Sequence, residues 1–175
     1  MAKERAVKHL KTNDGIVYFG HHSSNNEVNV YAIKGDVLVG ASSSMMGELG
    51  FDINTKVGLN GEDYNLVDLG VRRLPLSDNN NYLTSVKGGS ILKNLYIETS
   101  KLKSTKQINL CWVSGDNLKN FNNNLSNNLS LDESIKKTFS GKVLSELGFR
   151  NFSVFDQNLN SQGKYDKLEV SFYRG

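Results

Sequence analysis

Two short apolar runs constrain this chain most, Ile16-Val-Tyr-Phe19 and the stretch from Ile108 to Val113. Each is far too short to span a membrane and each reads as a strand, the first as one covered on both faces. Both stop abruptly at chemically capable residues. The first runs into Gly20-His21-His22; the second carries Cys111 and ends at Ser114-Gly115-Asp116. In a parallel α/β sheet the carboxyl ends of the strands share one edge, so this pattern predicts that the adjacent histidine pair and the single cysteine meet there.

The flanking segments support an α/β reading. Alternation over Glu27 to Ile33, then Asp36-Val-Leu-Val-Gly40, predicts a hairpin turning at Lys34-Gly35. Ala41 to Asn81 is punctuated by glycine and leaves room for one or two strands, around Tyr64-Asn-Leu-Val67 and with Val71 to Pro75 at an edge. Ile91, Leu92, Leu95, Tyr96, Thr99 and Leu102 recur at helical spacing. A second helix is expected where Leu131, Ile135, Phe139, Val143, Leu144 and Leu147 form one stripe, with Ser130 and Glu133 as a capping box and Gly148 closing the end. Phe149 to Phe155 and Lys167 to Tyr173 read as strands joined by the turn-rich Asn158 to Lys164. The asparagine tract from Asn120 to Asn128 reads as an exposed loop beside Cys111. Helix, strand, helix, strand is the order of a βαβ sheet. The expected fold is one α/β domain over residues 1–175, a three-layer sandwich with a mixed, partly parallel sheet and an added β-hairpin.

Composition narrows the function classes. At 175 residues the chain suits a single core. Its 22 asparagines against one proline favour turns and loop-rich connections. One cysteine makes no internal disulfide, and His9, His21 and His22 lack the ligand spacing of a structural zinc site. A net charge of +3, spread along the chain, does not signal nucleic acid and does not exclude it. Lys101, Lys103 and Lys106 read as a solvated helix end. No apolar run is long enough to cross a membrane, and the charged start Met1-Ala-Lys-Glu-Arg5 is unlike a signal peptide. A small cytosolic protein, or a domain delivered as part of a larger secreted one, fits that start. No cofactor motif stands out, because Gly58-Leu-Asn-Gly61 lacks the lysine and the strand-loop-helix setting of a phosphate loop.

Three functions are compatible with these residues. A cysteine nucleophile needs an imidazole or helix N-terminus to stabilise its thiolate, so Cys111 or Ser114 beside His21 or His22 would define a peptidase. Backbone N–H groups near Gly20 and Ser114-Gly115 would then form its oxyanion hole. The plain alternative makes Cys111, between Leu110 and Trp112, a buried small hydrophobe. Histidine also serves alone as a general base, and with Lys34, Arg72, Arg73 or Lys87 on phosphate it would define a small ribonuclease-type toxin. A non-catalytic binding or immunity module, with Ala41 to Asn81 as contact surface, is the third reading. Met45-Met46 reads as core packing, and Asp116 and Asp156 as caps just past strands.

The strand end Tyr18-Phe-Gly-His21, and the helix, strand and hairpin from Ser130 to Tyr173, resemble the caspase-like cysteine peptidases, nearest to the self-cleaving cysteine protease domains of large bacterial toxins. The resemblance covers Gly15 to His22 and Ile91 to Tyr173. It implies a peptide or protein substrate, a His/Cys pair, and an inositol polyphosphate activator held by basic residues near the flap, such as Lys142, Arg150 or Lys164. His21 is followed by His22 where that family carries glycine, and Cys111 lies inside its apolar run where the family's nucleophile stands nearer Val113 or Ser114.

Overall fold

The computed structural model describes residues 6–11, 15–23, 27–34, 37–56, 88–102 and 105–175. The fold is α/β with a mixed, partly parallel sheet and a β-hairpin, as the sequence pattern predicts. The chain divides into two compact units, residues 1–46 with 54–102, and residues 47–53 with 103–175. The expected segments at Tyr64 to Val67 and Val71 to Pro75, and the tip residue Gly35, lie outside the described residues.

The first unit is an antiparallel meander of β1 (Ala6–Lys11), β2 (Ile16–Ser23), β3 (Glu27–Lys34) and β4 (Val37–Met46). Helix α1 (Gly88–Ser100) packs against β2, β3 and β4. Strand alternation puts Ile16, Tyr18, Val28, Val30 and Ala32 in the interior, and Ile91, Leu95 and Tyr96 of α1 are buried with them. Burial in β2 alternates, with Ile16 and Tyr18 buried and Val17 between them only half-buried where cover on both faces was expected, and the strand pairs antiparallel with both neighbours. The expectation that its histidine end belongs to a parallel array is corrected by that pairing. Met45, expected in the core, is 58% exposed near the end of β4.

The second unit is built on the first half of β5 (Phe51–Lys56), with β6 (Gln107–Trp112), β7 (Asn151–Leu159) and β8 (Tyr165–Tyr173), in the order β5-β6-β8-β7. β5 and β6 are parallel, while β8 is antiparallel to both β6 and β7. Two antiparallel steps leave β6 and β7 parallel to each other with β8 between them, so the expected βαβ unit is present but split. One face carries rows of hydrocarbon: Ile108 opposite Phe172 and Phe152, then Leu110 opposite Val170 and Val154. Ile108 and Val170 are fully buried, and Phe152 meets Phe172 at 5.7 Å between ring centroids.

Three helices complete this unit: α2 (Gly115–Ser126), α3 (Leu131–Lys136) and α4 (Phe139–Glu146). The asparagine tract is thus helix α2, and the predicted loop is overturned. Leu118 and Phe121 are buried three residues apart, and Phe121 lies 6.4 Å from Trp112 and 5.3 Å from Tyr165, which outweighs the weak helix propensity of asparagine. The asparagines themselves tie the helix down. Asn122 donates to the Tyr165 carbonyl and accepts from its N–H, Asn117 does the same with the hydroxyl and N–H of Ser140, and Asn124 donates to the Ser134 carbonyl.

The predicted helix over 131–147 is two helices meeting at an elbow. Its start is as expected, with Ser130 and Glu133 forming a complete capping box. Its end is too: Gly148 has φ +97°, Phe149 N–H donates to the Leu144 carbonyl and Gly148 N–H to that of Ser145, the pattern of a Schellman motif. Between them Thr138 starts a new helix by accepting from Gly141 N–H while donating to the Ile135 carbonyl. The elbow is tight, because a Cβ on Gly141 would collide with the Ile135 carbonyl oxygen. Among the described residues no helix is long and apolar enough to cross a membrane.

Candidate functional site

In the first unit, His21 and His22 are consecutive residues of β2, opposite Asn29 and Val28 of β3. The preceding residue, Gly20, lies against α1: a Cβ there would sit 2.9 Å from Cγ of Glu98, so any side chain at this position must displace that glutamate. Glu98 is only 4% exposed and accepts from Lys101 Nζ at 2.7 Å. Its neighbour Thr99, also buried, shares a 2.7 Å hydroxyl bond with Ser44, and Ser44 stands opposite Val28 in the strand register. Val28 in turn stands opposite His22. The last turn of α1 thus sets a carboxylate against β2 at Gly20 and a hydroxyl bond on β4, two strands away.

Buried carboxylates are rare unless paired, and Lys101 supplies that partner for Glu98. It escaped sequence reading because Ile-Glu-Thr-Ser within an amphipathic helix looks like a polar flank. The one available signal was that Glu98 and Thr99 fall on the same turn as the apolar stripe. Two further polar atoms in this unit, Asn29 Oδ1 and Ser42 Oγ, are buried without a hydrogen-bond partner.

Cys111 and Ser114 belong to the second unit. Cys111 is exposed, so the reading of it as a buried hydrophobe is corrected: the run Leu110-Cys-Trp112 alternates, with Leu110 and Trp112 inward and Cys111 on the polar face. That face continues across the strands as Cys111 opposite Glu169 and Glu169 opposite Asp156. A β-bulge at Phe155 brings Asp156 into this row, because the register passes from Val154 to Asp156 with one residue extra. Asp156 is therefore inside β7 and not past its end. Lys167 bridges Asp156 at 2.7 Å and Glu169 at 2.8 Å.

The electrostatics of this row run against an activated thiol. Cys111 Sγ donates to Glu169 Oε1 at 3.6 Å. Partial burial, and then the charge of Glu169 with its hydrogen bond, push the thiol above its ordinary value, and Lys167 offsets this only in part. Hydrogen bonds to Asp156 and Glu169 hold Lys167 above the usual lysine range, and the lysine in turn lowers Asp156.

Ser114 is exposed and is the N-cap of α2, yet its hydroxyl makes no capping bond; Asp116 lies in the first helical turn. Of the basic residues, Arg72, Arg73 and Lys87 lie outside the described residues, and Lys34 ends β3. Arg150 and Lys164 stand at opposite ends of the β7–β8 hairpin, separated by a strand of roughly 25 Å at about 3.3 Å per residue, so the three suggested activator ligands do not form one cluster. Among the described residues no three His, Cys, Asp or Glu side chains are grouped closely enough to share a metal ion.

No family model matches the chain, and no curated protein matches it.

Proposed function

We propose that this chain is a histidine-dependent hydrolase domain of ribonuclease type, with a histidine of the β2 end as general base and Glu98 as the carboxylate that orients and stabilises it. The observation that carries the reading is the buried Glu98, set against Gly20 of β2, the strand that also holds His21 and His22. A general base works best when a carboxylate fixes its tautomer and stabilises the imidazolium that forms when it takes a proton. In phosphodiester cleavage by a neighbouring 2′-hydroxyl, that proton comes from the hydroxyl, whose oxygen forms the new bond to phosphorus as the 5′-oxygen leaves. This chemistry needs a base, an acid and cations, and no thiolate.

The peptidase reading asks for a thiolate at neutral pH. The raised thiol of Cys111 and its carboxylate neighbour favour the protonated form, which weighs toward the ribonuclease-type reading. The test is cleavage of a fluorophore-quencher single-stranded RNA between pH 5 and 9, with EDTA present, by the parent and by His21→Ala, His22→Ala and Glu98→Gln. Loss of one histidine should lower the rate about 100-fold or more, and Glu98→Gln should lower it less while moving the basic-side pKa of the profile. Absence of cleavage by the parent, or full activity in both histidine variants, would end this reading.

A further inference from the structure

We infer that Glu98 is the positioning residue of His22 and not of His21. The step from there to chemistry, with His22 as the base, rests on the ribonuclease-type reading above.

Successive residues of a strand lie on opposite faces, and residues two apart share one. A slip of one residue would exchange the two histidines, so the parity of β2 decides which of them stands on the side of α1. An unbroken ladder fixes that parity. From Ile16 to Ser23 every residue of β2 has one partner in β3, and the register shift against β1 falls between Ala6 and Lys8 of β1.

Two contacts mark the α1 face. A Cβ on Gly20 would meet Glu98, with Cγ at 2.9 Å and Oε2 at 3.3 Å, so Gly20 faces the helix. In the next row on that face, Ser44 shares its 2.7 Å bond with Thr99, and Ser44, Val28 and His22 stand opposite one another in turn across β4, β3 and β2. Gly20 and His22 therefore lie on the α1 side of the sheet. His21 belongs to the alternate row, with Asn29 and Ser43. Rows two residues apart are separated by roughly 7 Å, a span that a glutamate standing over Gly20 can close.

The charged residues that the register sets around this row are few. Lys101 binds Glu98 at 2.7 Å from the same helix, and Lys8 of β1 stands opposite Gly20. Glu27 stands opposite Ser23 on the His21 side, where it accepts from Asn29 Nδ2 at 3.1 Å. Glu98 and the negative end of the α1 dipole favour an imidazolium at His22, while Lys101 and Lys8 oppose it.

NMR of the histidine ring C–H signals from pH 5 to 9 tests this, each ring being assigned from its alanine variant. Glu98→Gln should lower the His22 midpoint by about one pH unit and leave that of His21 in place. Lys101→Met, at a side chain that is 45% exposed and so safe for folding, should raise the His22 midpoint. In RNA cleavage His22→Ala should lower the rate about 100-fold and His21→Ala less than about threefold. A His21 midpoint that moves in place of that of His22, or a His22 midpoint that moves in neither variant, would overturn the inference whether or not RNA is cleaved. A parent that cleaves no RNA while His22 responds to Glu98→Gln would end the ribonuclease-type reading and uphold the pairing.

Discussion

The two units place their charges differently. The second keeps Asp156, Lys167 and Glu169 on a solvent-facing row, whereas the first buries the carboxylate of Glu98 and pairs it with the partly exposed Lys101. Buried hydroxyls are alike in the two: Thr138, Ser140 and Ser171 are used in a cap, a helix tether and a strand-to-strand bond, while Ser134 Oγ of the second unit, like Asn29 Oδ1 and Ser42 Oγ of the first, has no hydrogen-bond partner. Burying a carboxylate costs stability even when it is paired, and that cost sets the first unit apart from the second.

Three experiments press on that contrast. The largest effect is expected in the second unit: Phe121→Ala removes a fully buried ring that touches both Trp112 and Tyr165, and should lower unfolding free energy by about 3–5 kcal/mol, read by denaturant melts on Trp112 fluorescence. A cost below that of an ordinary surface substitution would deny that unit its packed core. Gly20→Ala probes the other unit, since the new methyl must displace Glu98. It should cost about 1–3 kcal/mol and lower RNA cleavage well beyond what stability explains; cleavage equal to the parent would detach Glu98 from the chemistry.

The smallest effect concerns Cys111. Its thiol is raised by burial and by Glu169, so alkylation by iodoacetamide should stay slow at neutral pH and accelerate only above the ordinary thiol range. Replacing Glu169 by Gln should shift that acceleration to lower pH. Fast alkylation at neutral pH that disappears in a His21→Ala or His22→Ala variant would restore the peptidase and reverse the contrast drawn between the units.

Sequence reading reached the elements whose causes are local. The capping box at Ser130, the glycine stop at Gly148, the α1 stripe and the hairpin after Asn151 are each written in a few adjacent residues. It failed where a distant partner decides. Asn120 to Asn124 reads as loop until Trp112, Tyr165 and Ser134 supply what a helix there can bind, and the elbow at Thr138 is hidden because both halves share one stripe. Cys111 was misread because Leu110 and Trp112 suggested a buried run where the strand in fact alternates. At the candidate site the histidines were legible as residues, whereas Glu98 became visible only through its approach to Gly20.

The insertion of β8 between β6 and β7 fixes an order of events. β8 follows both neighbours in sequence yet separates them in space, so the second unit cannot assemble by adding strands in the order they are synthesised. A nascent chain ending near Asn160 would hold β6 and β7 with their shared partner missing, each offering an open side. The last strand therefore serves two ladders, and β6 and β7 are joined within the sheet only once it is in place.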